Sequence, residues 1–358
     1  MISSRYITVT SFRHTFIFAI MAVALVIPQG CSLLDENLED CEKDHLLNYE
    51  LRLVTNMSTE INTQLETDIS TDVELAAAAA LRNYLKNIFT DFAHDVDLSF
   101  YDVVEDSVRL HHEAHIMDAN QSSYTLYIPV HQYMHTAVAN VVDNNLITLE
   151  DDNYCHTGHL HQAVADTIST HNTGLFTARL PMDVLEDLDQ TFNVHLYMAN
   201  CATALVVDTL GSHIKDLKVH LTGFATDYNI CDSTYTFQYT PVVVSDKLDL
   251  STPGGMCFAS VNYPSRDTRP TKSIFETTDP FLSESAANSI WQIRAYATLP
   301  NGSVTETKLG VTKPLRAGQF KIFKVKALLN GSIQPEDPDI AVSVALDWEA
   351  GQEHEIAL

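Results

Sequence analysis

Leu47-Asn48-Tyr49-Glu50-Leu51-Arg52-Leu53 alternates apolar and polar side chains without a break. A period of two puts Leu47, Tyr49, Leu51 and Leu53 on one face of a strand and Asn48, Glu50 and Arg52 on the other. The same rhythm recurs along the chain. Val96, Leu98 and Phe100 alternate with Asp97 and Ser99, while Phe192, Val194, Leu196 and Met198 share a face, as do Leu217, Val219 and Leu221. Trp291, Ile293, Ala295 and Ala297 follow, and then Ile340, Val342, Val344, Leu346 and Trp348. Each series offers one face to a core and one to water, as antiparallel sheets do. Asn301-Gly302, Asn330-Gly331 and Pro253-Gly254-Gly255 supply turn signals between them. The expected class is all-β.

One stretch keeps a different period. Leu81, Tyr84, Leu85, Ile88, Phe89 and Phe92 fall on one helical stripe, preceded by five alanines, Ala76 to Ala80. Thr71-Asp72-Val73-Glu74 supplies a capping box at the start. This predicts an amphipathic helix covering one sheet of a first domain, and a shorter helix is expected near Met182–Leu188. No Pro/Ser linker and no repeat marks a boundary. A new alternating run begins after Glu186-Asp187-x-Asp189, which places the expected split near residue 190, with β-sandwiches over 44–190 and 191–358.

The 358 residues are 45% hydrophobic, enough for more than one core. With 21 Lys+Arg against 47 Asp+Glu, the formal net charge is −26. Such a surface repels phosphate backbones and excludes nucleic acid as a partner. The 15 Phe, 14 Tyr and 2 Trp argue against disorder.

Residues 1–30 read as an address. Phe16 to Ile27 is an unbroken apolar run, shorter than a membrane span and fitting a signal-peptide h-region. Ile27-Pro28-Gln29-Gly30-Cys31-Ser32 then resembles a bacterial lipobox, although Pro28 stands where Leu is usual. In that signal the chain is cut between Gly30 and Cys31 and the Cys31 thiol is acylated. Residues 31–43 form an acidic tether, and acids so soon after the lipidated Cys resemble the surface-export signal of Bacteroidetes lipoproteins.

Five further cysteines, Cys41, Cys155, Cys201, Cys231 and Cys257, form no C-x-x-C pair. One or two disulfides are compatible with an exported protein, the pairing being open. Two histidine clusters invite a metal: His111, His112 and His115 in H-H-E-A-H, and Cys155-His156-x-x-His159-x-His161. The first misses the H-E-x-x-H pattern by one residue, and surface histidines in a lysine-poor chain account for both. No metal site or cofactor is assigned. G-x-S-x-G, G-x-x-x-x-G-K-[ST] and G-x-G-x-x-G are all missing, so no catalytic residue is named and an enzyme is not expected. Asp106-Ser107-Val108, Asp166-Thr167-Ile168 and Asp208-Thr209-Leu210 match a short O-glycosylation pattern.

Several pieces then stand in order. They are the lipobox Cys31, the tether ending Leu38-Glu39-Asp40-Cys41, the strand Tyr49 to Leu53, Gly318-Gln319-Phe320-Lys321-Ile322, the turn Asn330-Gly331 and the strand ending Leu346-Asp347-Trp348. Together these resemble the FimB/Mfa-type fimbrial anchor family of Bacteroidetes, over essentially the whole chain after Cys31. The resemblance implies two tandem transthyretin-like antiparallel β-sandwiches, held in the outer membrane by a lipid at the base of a fimbria. It implies fimbrial stalk subunits as partners, joined by strand exchange after a protease removes an N-terminal strand. An anchor keeps that strand, here around Leu47–Leu53, and so ends the fimbria. The segment for strand exchange is then Ile340, Val342, Val344, Leu346 and Trp348, or the more polar tail Glu349–Leu358. No Arg lies between Cys31 and Arg52, and Lys43 is the first Lys. The alternative is a surface lipoprotein that binds glycan or a host protein without polymerising, though Trp291 and Trp348 sit on core-like alternations. A metal-dependent hydrolase comes last.

Overall fold

Alternation along the chain becomes sheet. The computed structural model describes residues 44–54, 64, 71–90, 93–104, 108–116, 123–186, 190–237, 241–267, 289–336 and 340–348. Among these residues the chain is mostly β, with one α-helix and four sheets.

The first sheet has seven strands. Their order is β3 (Arg109–Ile116), β2 (Asp95–Asp102), β5 (Gln132–Ala139), β9 (Phe176–Asp183), β10 (Thr191–Met198), β1 (Asp44–Val54) and β4 (Ser123–Pro129). A five-stranded sheet runs β16 (Asp246–Leu248), β17 (Gly255–Asn262), β11 (Cys201–Asp208), β20 (Phe320–Ala327) and β21 (Ile333–Pro335). A six-stranded sheet runs β22 (Ile340–Trp348), β19 (Val304–Val311), β18 (Trp291–Thr298), β12 (Asp216–Thr222), β15 (Val242–Val244) and β8 (Thr167–Ser169). The smallest has β14 (Thr234–Thr236), β13 (Asp227–Asn229), β7 (His159–Gln162) and β6 (Ile147–Glu150).

The helix α1, Asp72–Ile88, starts where the capping box predicts. Glu74 N–H donates to Thr71 Oγ1 at 3.2 Å and Thr71 N–H donates to Glu74 Oε2 at 3.1 Å, satisfying two orphan donors of the first turn. Leu81, Leu85, Ile88 and Phe89 are buried as the stripe requires, each worth about 1.5–3 kcal/mol of burial.

The helix does more than cover the first sheet. Its apolar face joins Leu47, Tyr49 and Leu196 of the seven-stranded sheet and Ala204, Ala259 and Phe320 of the five-stranded one in a single core. Its Glu74 pairs with Lys324 of β20 at 2.9 Å, and Tyr84 donates to Asp246 of β16 at 2.9 Å. The five-stranded sheet is therefore buried on both faces. Along β11, Ala202, Ala204 and Val206 enter the first core, while Cys201, Leu205 and Val207 enter a second with Trp291, Ile293 and Leu309 of the six-stranded sheet. Gln64 fits the same layer through its side-chain amide, which donates to Phe320 O and accepts from Ile322 N–H.

Three expectations change. The sheets are not purely antiparallel, because β1 pairs parallel with β10, β11 with β20 and β15 with β8. Met182 lies in β9 opposite Tyr133, and Asp183 opposite Gln132, so the short helix expected at 182–188 does not start there; the ladder with β5 wins over weak local propensity. The helix is shared between two sheets, not confined to one. The boundary expected near 190 falls between β9 and β10, which lie side by side in one sheet.

Candidate strand-exchange site

The N-terminal strand sits inside a sheet, between β10 and β4. Its register against β10 is continuous from Asn48↔Thr191 to Val54↔Tyr197, so its backbone groups are satisfied on a long ladder. Leu47, Tyr49 and Leu51 are buried, while Asn48 and Arg52 are exposed on the other face. This is the partition that the alternation predicts.

Tyr49 fixes the strand by a specific contact. Its hydroxyl lies 2.5 Å from His135 Nε2 on β5, and His135 Nδ1 lies 3.0 Å from the Ser99 carbonyl on β2. Ser99 O can only accept, so Nδ1 carries the proton, Nε2 accepts from Tyr49, and the imidazole is neutral. Phe100 stacks on His135, with ring centroids 4.3 Å apart. Burial lowers the His135 pKa from 6.5 to about 4, partly offset by the bond to Ser99. Nothing in the spacing announces His135. A Tyr in an otherwise aliphatic series was the available signal, since a buried phenol needs a partner.

The C-terminal strand holds the opposite position. β22 is the edge of the six-stranded sheet and pairs antiparallel with β19, with Val311↔Ile340, Leu309↔Val342 and Thr307↔Val344. A register shift between Val304 and Glu306 interrupts the ladder before Val304↔Trp348. Leu346 lies within that strand, so all five residues of the candidate exchange segment fall on one edge strand. Ile340 is buried and, with Trp291, Val311, Leu315 and Phe323, lines a cavity of about 220 Å³ whose wall also carries the polar Gln319, Lys313 and Lys321. An edge strand presents an unpaired row of N–H and C=O groups and is the natural place for a second chain to add.

Gly30, Cys31, the tether and the tail Glu349–Leu358 lie outside the described residues, as do Cys41 and Ser107. Thr167 is exposed and Thr209 half-buried.

Each histidine cluster is built around a carboxylate. His111 and His115 on β3 each place Nε2 2.7 Å from Glu113. His159 and His161 on β7 place Nδ1 2.7 and 3.0 Å from Asp227 of β13. His112 turns instead to Asp97 on β2, at 2.8 Å. Among the described residues no group of three His, Cys, Asp or Glu side chains is arranged to hold a metal ion. Cys155 is bonded to Cys231, tying a turn before β7 to the β13–β14 hairpin. Cys201 and Cys257 are free and buried; burial pushes the Cys257 thiol up to about 12, and Cys201 higher. Neither is a nucleophile at neutral pH.

No protein-family model and no curated protein matches the chain. Solved structures do. The fimbrial anchor protein Mfa2 from Porphyromonas gingivalis aligns over 86% of this chain and 99% of its own, at 10% identity and a TM-score of 0.43. The tip fimbrial protein Mfa3 of the same organism, truncated at its C-terminus, aligns over 85% and 100% at 12% identity, with a TM-score of 0.41. A candidate adhesin from Bacteroides ovatus aligns over 86% and 96% at 10% identity, with a TM-score of 0.48. All three alignments span 85–86% of the chain at 10–12% identity.

Proposed function

We propose that this chain is a non-enzymatic, lipid-anchored outer-membrane subunit that attaches and terminates a fimbria by strand complementation. In this reading Cys31 carries the lipid and residues 31–43 are the tether. Two tandem transthyretin-like sandwiches carry the load. Fimbrial stalk subunits are the partners, and the exchange segment is β22 at the outer edge of its sheet.

One observation carries the proposal: β1 is fully incorporated between β10 and β4, with Leu47 and Tyr49 wholly buried. A subunit activated for polymerisation must lose the strand that occupies its acceptor groove, whereas one that ends a polymer keeps it. Losing β1 would strip the ladder from one side of β10, expose an apolar groove and leave His135 without its Tyr49 partner, all costly in water. The edge position of β22 is consistent with one free joint and one closed joint per molecule.

The test is Cys31→Ala in cells that carry the fimbria. The expected result is fimbriae released into the medium at undiminished total yield. Fimbriae that stay cell-bound at normal density would contradict the proposal.

A further inference from the structure

The outward face of β9 and β10 meets the β13–β14 hairpin in a cleft of about 490 Å³, within the roughly 300–1,000 Å³ range of small-ligand sites. Its floor carries Arg179 of β9 and Asn193, His195 and Tyr197 of β10. The three on β10 are exposed because Val194, Leu196 and Met198 take its core face, and Arg179 is the exposed residue between Ala178 and Leu180 on β9. The wall is Tyr228 and Tyr235, with ring centroids 4.7 Å apart. The Tyr228 hydroxyl lies 3.2 Å from Thr177 Oγ1 and joins wall to floor.

Three features set this cleft apart. Among the described residues, no side-chain hydrogen bond or ion pair engages Arg179, Asn193, His195 or Tyr197. The chain has 47 acidic residues against 21 basic ones, yet among the described residues no carboxylate lines the cleft. The carboxylate on the adjoining strand, Glu50 opposite Asn193, is met by Arg52 at 3.8 Å. Finally, Tyr197 is 60% exposed, a large flat ring held out from a rigid strand. An unpaired guanidinium in an acidic molecule matches a carboxylate by its fork of donors. An exposed aromatic face suits the C–H face of a pyranose, and an Asn amide both donates to and accepts from hydroxyls.

We propose that this cleft binds a carboxylated saccharide, with Arg179 on the carboxylate, Tyr197 against the sugar ring, and Asn193 and His195 on its hydroxyls. A nucleic acid or polyphosphate is disfavoured by the net charge of −26, which repels polyanions at long range. A single sugar carboxylate asks for one fork only. The site is a property of the isolated chain and stands apart from the fimbrial reading.

The experiment is calorimetric titration of the intact chain with acidic galactose oligomers that carry a single terminal galacturonic acid and with neutral galactose oligomers of the same length. Binding of the acidic series alone is expected, weakened about tenfold or more by Arg179→Gln and by Tyr197→Ala. Both variants should melt at the parent temperature, since neither side chain is buried. Failure of the acidic oligomers to bind, equal binding of the neutral ones, or unchanged binding in both variants would overturn the proposal.

Discussion

Replacing Tyr49 by Phe removes one oxygen from a strand that the account requires to be fixed in place. The ring remains, so no cavity opens. What goes is the hydrogen bond to His135 Nε2, an atom with no other partner among the described residues on a side chain that is 0% exposed. A neutral hydrogen bond contributes about 1 kcal/mol, and a buried acceptor left unpaired costs about 1–3 kcal/mol more. The expected destabilisation is therefore about 2–4 kcal/mol. With an m-value near 3 kcal/mol/M, urea unfolding followed by far-ultraviolet circular dichroism should shift its midpoint down by roughly 1 M. Tyr197→Phe is the matched control, since its ring is 60% exposed and its loss of an oxygen should leave the midpoint unmoved. If Tyr49→Phe unfolds with the parent midpoint, the Tyr49–His135 contact is not what holds β1, and the reasoning fails.

Other outcomes follow from the same chemistry. Burial lowers the His135 pKa from 6.5 to about 4, so between those values the unfolded chain binds the proton that the folded chain refuses. Stability is therefore full above pH 6.5, falls as pH drops toward 4 by about 3 kcal/mol from this group, and flattens below, which urea midpoints across that range would show. His171, lowered by burial to about 3, acts in the same direction. Reducing the Cys155–Cys231 bridge, which closes a sequence separation of 76 residues, should cost about 4.5 kcal/mol on the chain-entropy account; an unchanged melting curve in reductant would contradict that. Gly255→Ala should destabilise the fold by about 1–3 kcal/mol, because an added Cβ meets the Val73 side chain of α1. A neutral Gly255→Ala would show that helix and β17 are not in close contact.

Strands whose two faces differ in polarity were legible and strands apolar on both faces were not. Leu47 to Leu53 announces itself because Asn48 and Arg52 stand in water, and Trp291 to Ala297 because polar Gln292 and Arg294 alternate with it, although both are buried. In β11, by contrast, every residue from Cys201 to Val207 is buried, since a core lies on each side, so the alternation that marks a strand is erased. β17, from Gly255 to Asn262, is hidden for the same reason. That blindness also concealed the shared role of the helix: Thr71 and Glu74 fix where α1 starts, but only the buried five-stranded sheet shows what its second neighbour is. Parallel pairing of β1 with β10 bridges some 140 residues of sequence, a distance at which no local pattern specifies a partner. The cleft was unreadable too, because only the β9–β10 ladder, which sets Tyr197 opposite Thr177, brings Tyr197 within two residues of Arg179 across the strands.

The central claim is that the functional chain keeps β1 and is held by a lipid at its start. Intact-mass analysis of the protein extracted from the outer membrane tests both parts at once. The account predicts a polypeptide that begins at Cys31, carries fatty acyl groups and runs uncut through Asp44–Val54. A chain that begins at Asp44 or Leu53, after cleavage at Lys43 or Arg52, or one that carries no acyl group, would contradict it.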